Sequence, residues 1–354
     1  MTIMVTGGAG FIGSNFVRYL TDLGEHVHVL DNLTYAGDLR NLRDINKSKL
    51  YFTEGDINDT ELVFNLLATY DPIGIVHFAA ESHVDNSINN ASPFVITNVN
   101  GTVSLLEATK KWLLLRHRYT TKKQSFRFHH VSTDEVYGSL SLGEPAFTES
   151  NLYAPRSPYS ASKAASDHFV AAYGATHNIP YVMTNCSNNY GRRQHKEKLI
   201  PVVITKAMND LSIPMYADGA NIRDWIHVRD HCEALWRVFV YGKDNSKYNI
   251  GGKTQVSNKE LITTILNMMG KPLSLITSVT DRLGHDFRYD IDNTKIETEL
   301  RWYPRIPLDI GLKDTIEWYM NYDKNIRNNL SSGTIVQTLP SDNSCVEAIA
   351  ADLR

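Results

Sequence analysis

Cysteine is scarce. Cys186, Cys232 and Cys345 are three in 354 residues, an odd number, widely spaced and without a Cys-x-x-Cys pair, so neither a disulfide framework nor a zinc site is suggested. A reducing compartment suits such a chain, and a cytoplasmic location is expected. Long hydrophobic runs are also missing: no stretch approaches 18 apolar residues, and the opening Thr2-Ile-Met-Val-Thr6 reads as a strand, not as a signal peptide. No membrane partner is expected. Charge of one sign is lacking too, since 36 Lys and Arg against 39 Asp and Glu leave a formal net charge of -3, which argues against nucleic acid as a partner. The basic cluster of Arg116, Arg118, Lys122, Lys123 and Arg127 reads as a solvated connection. Thirteen histidines include no His-Glu-x-x-His and no set at ligand spacing, so no metal is expected, and His77 and His129-His130 read as packing. No internal repeat is visible.

What is present is an ordinary globular composition, 42% hydrophobic and 21% charged, on a chain about two domains long by the rough 150-residue guide. In the first half, short apolar runs at 4–5, 26–30, 50–52, 73–78, 126–131 and 181–184 have strand character. They alternate with helical spacing over 11–23, 61–70, 93–115 and 158–177, and Ser92-Pro93 supplies a start signal. Strands apolar on both faces, alternating with helices, predict an α/β fold: a doubly wound parallel sheet with a smaller mixed α/β C-terminal lobe. Residues 1–185 are expected to form mainly a dinucleotide-binding Rossmann domain. Residues 186–330 would form mainly a ligand-binding lobe, with some chain returning to the sheet. Helices are expected there at 197–210, 230–242, 257–270 (opened by the capping box Ser257-Asn-Lys-Glu260) and 308–322. Residues 331–354 lose periodicity and read as a mobile tail.

The strongest local motif is Thr6-Gly-Gly-Ala-Gly-Phe-Ile-Gly13, between the first strand and the first helix. Glycines at 7, 10 and 13 let phosphate oxygens approach the backbone, and the helix start offers free N–H groups and the positive end of its dipole. Asp31 ends the second strand, 18 residues after Gly13. A carboxylate there accepts from ribose hydroxyls and repels a 2′-phosphate, which favours NAD over NADP. Asp56 follows the third strand and is a candidate adenine contact, although a turn-forming Asp would look the same. Tyr159 and Lys163 are four apart and share a helix face. The ammonium and a bound nicotinamide would lower the phenol towards working pH and make Tyr159 a base. Thr133, at the end of the preceding strand, could share the substrate oxygen. Cys186 lies beside this region and reads as packing.

These motifs, with Ala79-Ala-Glu-Ser-His-Val-Asp85, Ser132-Thr-Asp-Glu-Val-Tyr-Gly138, Thr184-Asn-Cys-Ser-Asn-Asn-Tyr-Gly191, Lys198-Leu-Ile-Pro201 and Ile222-Arg-Asp-Trp225, resemble the extended short-chain dehydrogenase/reductase superfamily. Within it the chain is similar to the nucleotide-diphosphate-glucose 4,6-dehydratases, most of all the dTDP-glucose enzymes, over residues 1–322. The Thr133-Asp134-Glu135 triplet narrows the resemblance to dehydratases.

The resemblance implies a chemistry. Water is not readily eliminated across C5 and C6 of glucose until C4 is a ketone, because only then is the C5 proton acidic. Tyr159, supported by Lys163 and Thr133, would take the C4 hydroxyl proton while NAD accepts hydride. Glu135 would take the C5 proton and Asp134 would protonate the departing C6 hydroxyl, and hydride would return to C6. By the same resemblance Phe11, Ile12, Asp31, Asn32, Asp56, Ile57, Ala79, Ala80, Ser82, Thr97, Tyr159, Lys163 and Asn189 would join Gly7, Gly10 and Gly13 around NAD. His83, Thr133, Asn188, Lys198, Leu199, Tyr216, Arg223, Asn258 and His285 would face a nucleotide-diphosphate-glucose. Arg223 suits a diphosphate through paired hydrogen bonds, unless it is tied to Asp224 or Asp230. Asn258 also sits in the first turn of a capped helix. Apolar residues on more than one face of the helices at 93–115 and 156–177, among them Val95, Val99, Phe169 and Tyr173, fit a homodimer through a four-helix contact, as is the family's habit.

The chain departs from the family's pattern at Asn189-Tyr-Gly-Arg192, where proline is usual, and at Arg282-Leu-Gly-His-Asp-Phe-Arg-Tyr289. Both lie on the nucleotide side of the expected groove and leave the base, thymine or uracil, open. Two other readings stay open: an NAD-dependent nucleotide-sugar 4-epimerase or decarboxylase, which needs Tyr159 and Lys163 but no acid/base pair, and a non-catalytic NAD-binding protein, which needs neither.

Overall fold

In a computed structural model the structure describes residues 1–119 and 125–331. Seven parallel strands make the central sheet: β1 (Thr2–Thr6), β2 (His26–Asp31), β3 (Leu50–Glu54), β4 (Gly74–His77), β5 (Arg127–Thr133), β6 (Tyr181–Cys186) and, from the second half of the chain, a strand at Ser246–Ile250. Between β6 and that last strand come β7 (Asn188–Tyr190), β8 (Ile213–Tyr216) and β9 (Ile222–His227), so the returning strand is β10. The sheet order is β3-β2-β1-β4-β5-β6-β10, and it reverses direction between β1 and β4. A crevice opens at such a reversal, at the carboxyl ends of the strands, and ligands of doubly wound sheets bind there.

Strand alternation divides the core. Ile3 and Val5 face one layer with Phe16, Val17 and Leu20, while Met4 faces the other with Leu67, Leu105 and Leu106. Helix α1 (Phe11–Asp22) covers the first face, together with a helix at Val228–Tyr241; α2 (Thr60–Tyr70) lies on the second. After β4 come α3 (Val84–Asn89) and α4 (Ser92–Phe94), then a π-helical stretch at Val95–Asn100, α5 (Gly101–Tyr119) and α6 (Pro158–His177). The expected single helix over 93–115 is therefore interrupted. Its start also differs: Ala91 occupies the cap position without a side-chain bond, and Ser92 is already helical. The π-helical turn widens the helix where Asn98 is buried, its amide bridging the Glu81 backbone (2.8 and 3.0 Å) and the Ser162 hydroxyl (2.8 Å).

The second lobe packs α7 (Leu199–Met208), α9 (Asn258–Met268) and α11 (Leu308–Ser331) around Ile200, Ile204, Trp225, Leu261, Ile265, Leu312 and Ile316. The Val228–Tyr241 helix is α8, and α10 (Thr294–Leu300) is a short helix that the periodicity did not suggest. Strands β7, β9 and β11 (Gln255–Ser257) form a three-stranded sheet, and β8 pairs with β12 (Ile276–Val279). The final helix runs to Ser331, past the expected end at 322. Lys122, Lys123 and the expected tail beyond Ser331 lie outside the described residues. The ends of the basic cluster serve the fold: Arg116 pairs with Asp71 (2.9 Å), and Arg127 reaches Asp244 (2.7 Å) and the Phe239 carbonyl (2.7 Å).

Candidate active site

The turn from β1 into α1 is shaped by its glycines. Gly7 sits at φ +70, and a Cβ on Gly13 would stand 2.2 Å from the Gly7 carbonyl oxygen, so only a bare backbone closes the loop. Asp31, at the end of β2, is buried, and its two oxygens accept from the Ala9 and Leu33 amides (2.8 and 2.9 Å). Each keeps a further lone pair. Burial raises its carboxyl above the ordinary range, and the two amides work the other way. Asp56 holds a turn through the Asn58 amide (2.8 Å), as the turn reading has it, and also accepts from the Asn32 side chain (3.1 Å).

Two adjoining cavities of about 310 and 300 Å³ meet in the crevice, each large enough for part of a sizeable ligand. Every residue expected around NAD lines the first, along with Thr133, Asp134 and Glu135. His83, Asn188, Lys198, Leu199, Tyr216, Arg223, Asn258 and His285 line the second. Glu135, Asn188 and Lys198 belong to both walls. Residues the sequence did not single out are there as well: Thr34 and Gly37 beyond Asp31, Gln194, His195 and Glu197 beside Lys198, and Asp85, Arg282 and Tyr289 in the second cavity. Asp85, Arg282 and Tyr289 stand inside motifs already quoted, and Glu197 adjoins one. Thr34 and Gly37 carry no signal besides nearness to Asp31.

Thr133 ends β5 and caps a 3-10 turn at Asp134–Tyr137, its hydroxyl accepting from the Glu135 amide (3.3 Å). That turn presents two consecutive carboxyls at the end of the sheet. Asp134 is 2% exposed; its Oδ1 accepts from Thr133 (3.4 Å), and its Oδ2 has no hydrogen-bond partner among the described residues. Burial, reinforced by the charges of Glu135 and Asp224, pushes its pKa well above the ordinary carboxylate range. Burial also raises Glu135, but Lys198, Arg282 and Arg223 oppose the rise.

Helix α6 starts on a capping box between Ser157 and Ser160 with Pro158 in its first turn. This brings Tyr159 and Lys163 to the crevice, both buried. The Lys163 ammonium donates to the Val131 carbonyl (2.9 Å). The Tyr159 phenol is raised well above its ordinary value: burial dominates, Glu135, Cys186 and Asp134 add to it, and a hydrogen bond with Thr133 works against them. The expected lowering belongs to the crevice with a nicotinamide bound. Burial drives the Cys186 thiol up to about 12, in keeping with packing.

In the second cavity Arg223 makes no ion pair with Asp224 or Asp230. Its guanidinium donates to the carbonyls of Ile222 (2.8 Å), Asp286 (2.9 Å) and Phe287 (3.2 Å) and lies over the Tyr289 ring at 4.4 Å. Asp224 instead accepts from the Gly252 and Thr254 amides (2.7 and 2.6 Å), and Asp230 from those of Arg305 and Ile306 (both 2.8 Å). Lys198 donates to the Ser82 carbonyl (2.8 Å), His285 meets Asp281 (2.7 Å), and Tyr216 donates to Asp85 (3.2 Å). Ser257, not Asn258, caps α9, so the Asn258 side chain is not spent on the cap.

Such a crevice can hold an extended dinucleotide and, beside it, a second polar ligand, with a phenol, a hydroxyl and two carboxyls on the wall of the first cavity and one of those carboxyls, Glu135, shared with the second. The family model described as GDP-mannose 4,6 dehydratase matches residues 4–315. The dTDP-glucose 4,6-dehydratase of Haemophilus influenzae is 46% identical, covering 90% of this chain and 98% of its own. That of Xanthomonas campestris pv. campestris (strain B100) is 48% identical, covering 90% and 93%. DesIV, a dTDP-glucose 4,6-dehydratase from Streptomyces venezuelae crystallised with NAD bound, superimposes with a TM-score of 0.86 at 43% identity, covering 92% of this chain and 98% of DesIV. A UDP-glucose 4-epimerase from Thermotoga maritima shares the fold at 26% identity and a TM-score of 0.82, covering 91% and 99%. With a family match over most of its length and such relatives along nearly their whole chains, this protein belongs to the nucleotide-sugar 4,6-dehydratase family of the short-chain dehydrogenase/reductase fold.

Proposed function

We propose that the protein is a dTDP-glucose 4,6-dehydratase that forms dTDP-4-keto-6-deoxyglucose, with NAD regenerated in place. The observation that carries the reading is the pair Asp134 and Glu135, directly after Thr133: both line the first cavity, and Glu135 lines the second as well. A 4-epimerase needs no such pair. The crevice fits NAD on its own terms: a Cβ at Gly13 would fill the turn that phosphates approach, and Asp31 keeps acceptor capacity for a ribose. Gly7, Gly10, Gly13, Asp31, Asp56, Thr97, Lys163 and Asn189 would hold it. NAD, when bound, supplies a reversible hydride acceptor and a positive charge near the phenol.

Tyr159, oriented by Thr133, takes the proton of the C4 hydroxyl. Glu135, surrounded by Lys198, Arg282 and Arg223, is the group better able to stay ionised, and it removes the C5 proton. Asp134, more deeply buried and beside two carboxyls, retains its proton and donates it to the departing C6 hydroxyl. Arg223 and Lys198 neutralise the diphosphate. General acid/base assistance of this kind contributes roughly 100- to 10,000-fold.

The protein is expected to be cytoplasmic and to pair as a homodimer. Among the described residues no helix is long and apolar enough to cross a membrane. Val95, Ile96 and Phe169 are 48, 53 and 40% exposed on helices flanking one sheet face, an apolar surface suited to a second copy. Light scattering at micromolar concentration should report a dimer; a monomer would remove that part.

Incubation with dTDP-glucose and, separately, UDP-glucose, followed by product mass, tests the function. Loss of one water from the dTDP sugar supports it. Loss from UDP-glucose alone moves the assignment to the uridine substrate. An unchanged mass with a galactose-type product supports the epimerase, and recovery of starting material by NAD-loaded protein refutes catalysis.

A further inference from the structure

The face of α6 that carries Tyr159 and Lys163 continues one turn further to Asp167, four residues beyond the lysine. Asp167 is 2% exposed, lies on neither cavity wall, and has no part in the chemistry above. A carboxylate so deep in a core needs partners, and it has several. The Ser132 hydroxyl and the Tyr153 phenol both donate to Oδ2 (2.9 and 2.8 Å), and His130 Nε2 stands 3.1 Å from Oδ1. Ser132 lies between Val131, whose carbonyl receives the Lys163 ammonium, and Thr133. Carboxylate and ammonium are thus built onto the same helix face and the same three residues of β5.

We propose that Asp167 is the buried counter-charge of Lys163 and a positioning residue that acts on Tyr159 through that lysine. The inference rests on the dehydratase reading for its catalytic consequence, but not for the pairing itself. A lysine closed off from water would lose its proton unless an opposite charge offset its desolvation. Burial does lower Lys163, and Asp167 works against that fall, with Cys186 second. Burial raises Asp167, yet its bond to His130, the charge of Lys163 and its bond to Ser132 together bring it below the ordinary range. The other titratable groups facing the pair are His77 from β4, Cys186 from β6, Tyr159 on α6, Tyr137 and Tyr153 from the segment before α6, and Lys247 from β10. Burial keeps His77 and His130 on the neutral side, so Asp167 is the anion in this group that can serve the ammonium.

The test is the pH dependence of kcat in Asp167→Asn. Lys163 supports Tyr159 only while protonated, so loss of the anion should move the alkaline limb to lower pH by about one unit or more. KM for the sugar nucleotide should hold, and Asp167→Glu should restore much of the limb. An unmoved limb, or a rise in KM without a shift, overturns the proposal. Urea unfolding of Asp167→Asn, Lys163→Met and the double variant supplies a second readout. Removing both charges should destabilise less than the sum of the single changes; where Asp167→Asn alone does not fold, Lys163→Met beside it should restore folding. Additive midpoints, or no restoration, overturn the pairing. The unfolding cycle needs no turnover, so an inactive wild-type protein would count against the dehydratase reading alone.

Discussion

Asp134 and Glu135 are consecutive in the chain, yet they meet opposite surroundings. Asp134 is turned into the protein beside Asp224, with one oxygen lacking a hydrogen-bond partner among the described residues, while Glu135 reaches the junction of the two cavities among Lys198, Arg282 and Arg223. A 3-10 turn capped by Thr133 produces this split. Two carboxyls of like intrinsic acidity thereby become candidates for different roles, one keeping a proton and one ready to take it.

Glu135→Gln should leave NAD binding intact and abolish exchange of the C5 hydrogen with solvent, lowering turnover by roughly 100- to 10,000-fold. Proton NMR of the sugar in deuterated buffer reads the exchange directly. Undiminished exchange would remove Glu135 from the mechanism.

Asp134 links pH to stability. Its folded pKa lies well above its unfolded value, so folding favours the protonated form: that stability is fully present below the unfolded pKa and is lost as pH rises through the folded pKa. Asp134→Asn, which cannot ionise, should therefore melt higher than wild type at neutral pH, and the advantage should vanish in acid where both side chains are neutral. Calorimetry at several pH values measures it, and equal melting temperatures at neutral pH would contradict the assigned burial of charge.

Gly13→Ala should fail at both folding and cofactor binding. The added methyl would sit 2.2 Å from the Gly7 carbonyl oxygen, and overpacking of a rigid backbone typically costs about 1–3 kcal/mol. A variant that melts like wild type and binds NAD equally well would show that the turn can open. Gly10, whose Cβ would stand 3.3 Å from the same oxygen, should tolerate alanine better.

Asp31→Asn tests cofactor choice. Losing the charged acceptor should weaken NAD by about tenfold, on the order of 1.5 kcal/mol for a charge-assisted hydrogen bond, and relieve repulsion of a 2′-phosphate. Titration calorimetry with NAD and NADP should show the two affinities converging. A constant ratio would mean that Asp31 serves only the Ala9 and Leu33 amides.

The doubly wound sheet was legible because its cause is local: runs such as Ile3–Val5 and Gly74–Val76 are apolar on both faces, and only a two-sided parallel sheet buries them. The glycine turn and the Tyr159/Lys163 spacing were legible for the same reason, each being a short stretch whose geometry its own residues dictate. Other features depend on partners distant in the chain. The π-helical stretch at Val95–Asn100 accompanies the bridge from Asn98 to Glu81 and Ser162, which no periodicity reveals. Arg223 could have paired with its neighbour Asp224; instead it meets carbonyls some 60 residues on, while Asp224 is taken by the Gly252–Thr254 turn. The ionisation of Tyr159 likewise depends on more than its spacing. Adjacency to Lys163 is written in the chain, but desolvation and the nearness of Glu135 and Asp134 arise only when β5 and α6 close together. Spacing along the chain decides which side chains can share a face, whereas burial and the charges brought in by other segments decide what protons those side chains hold.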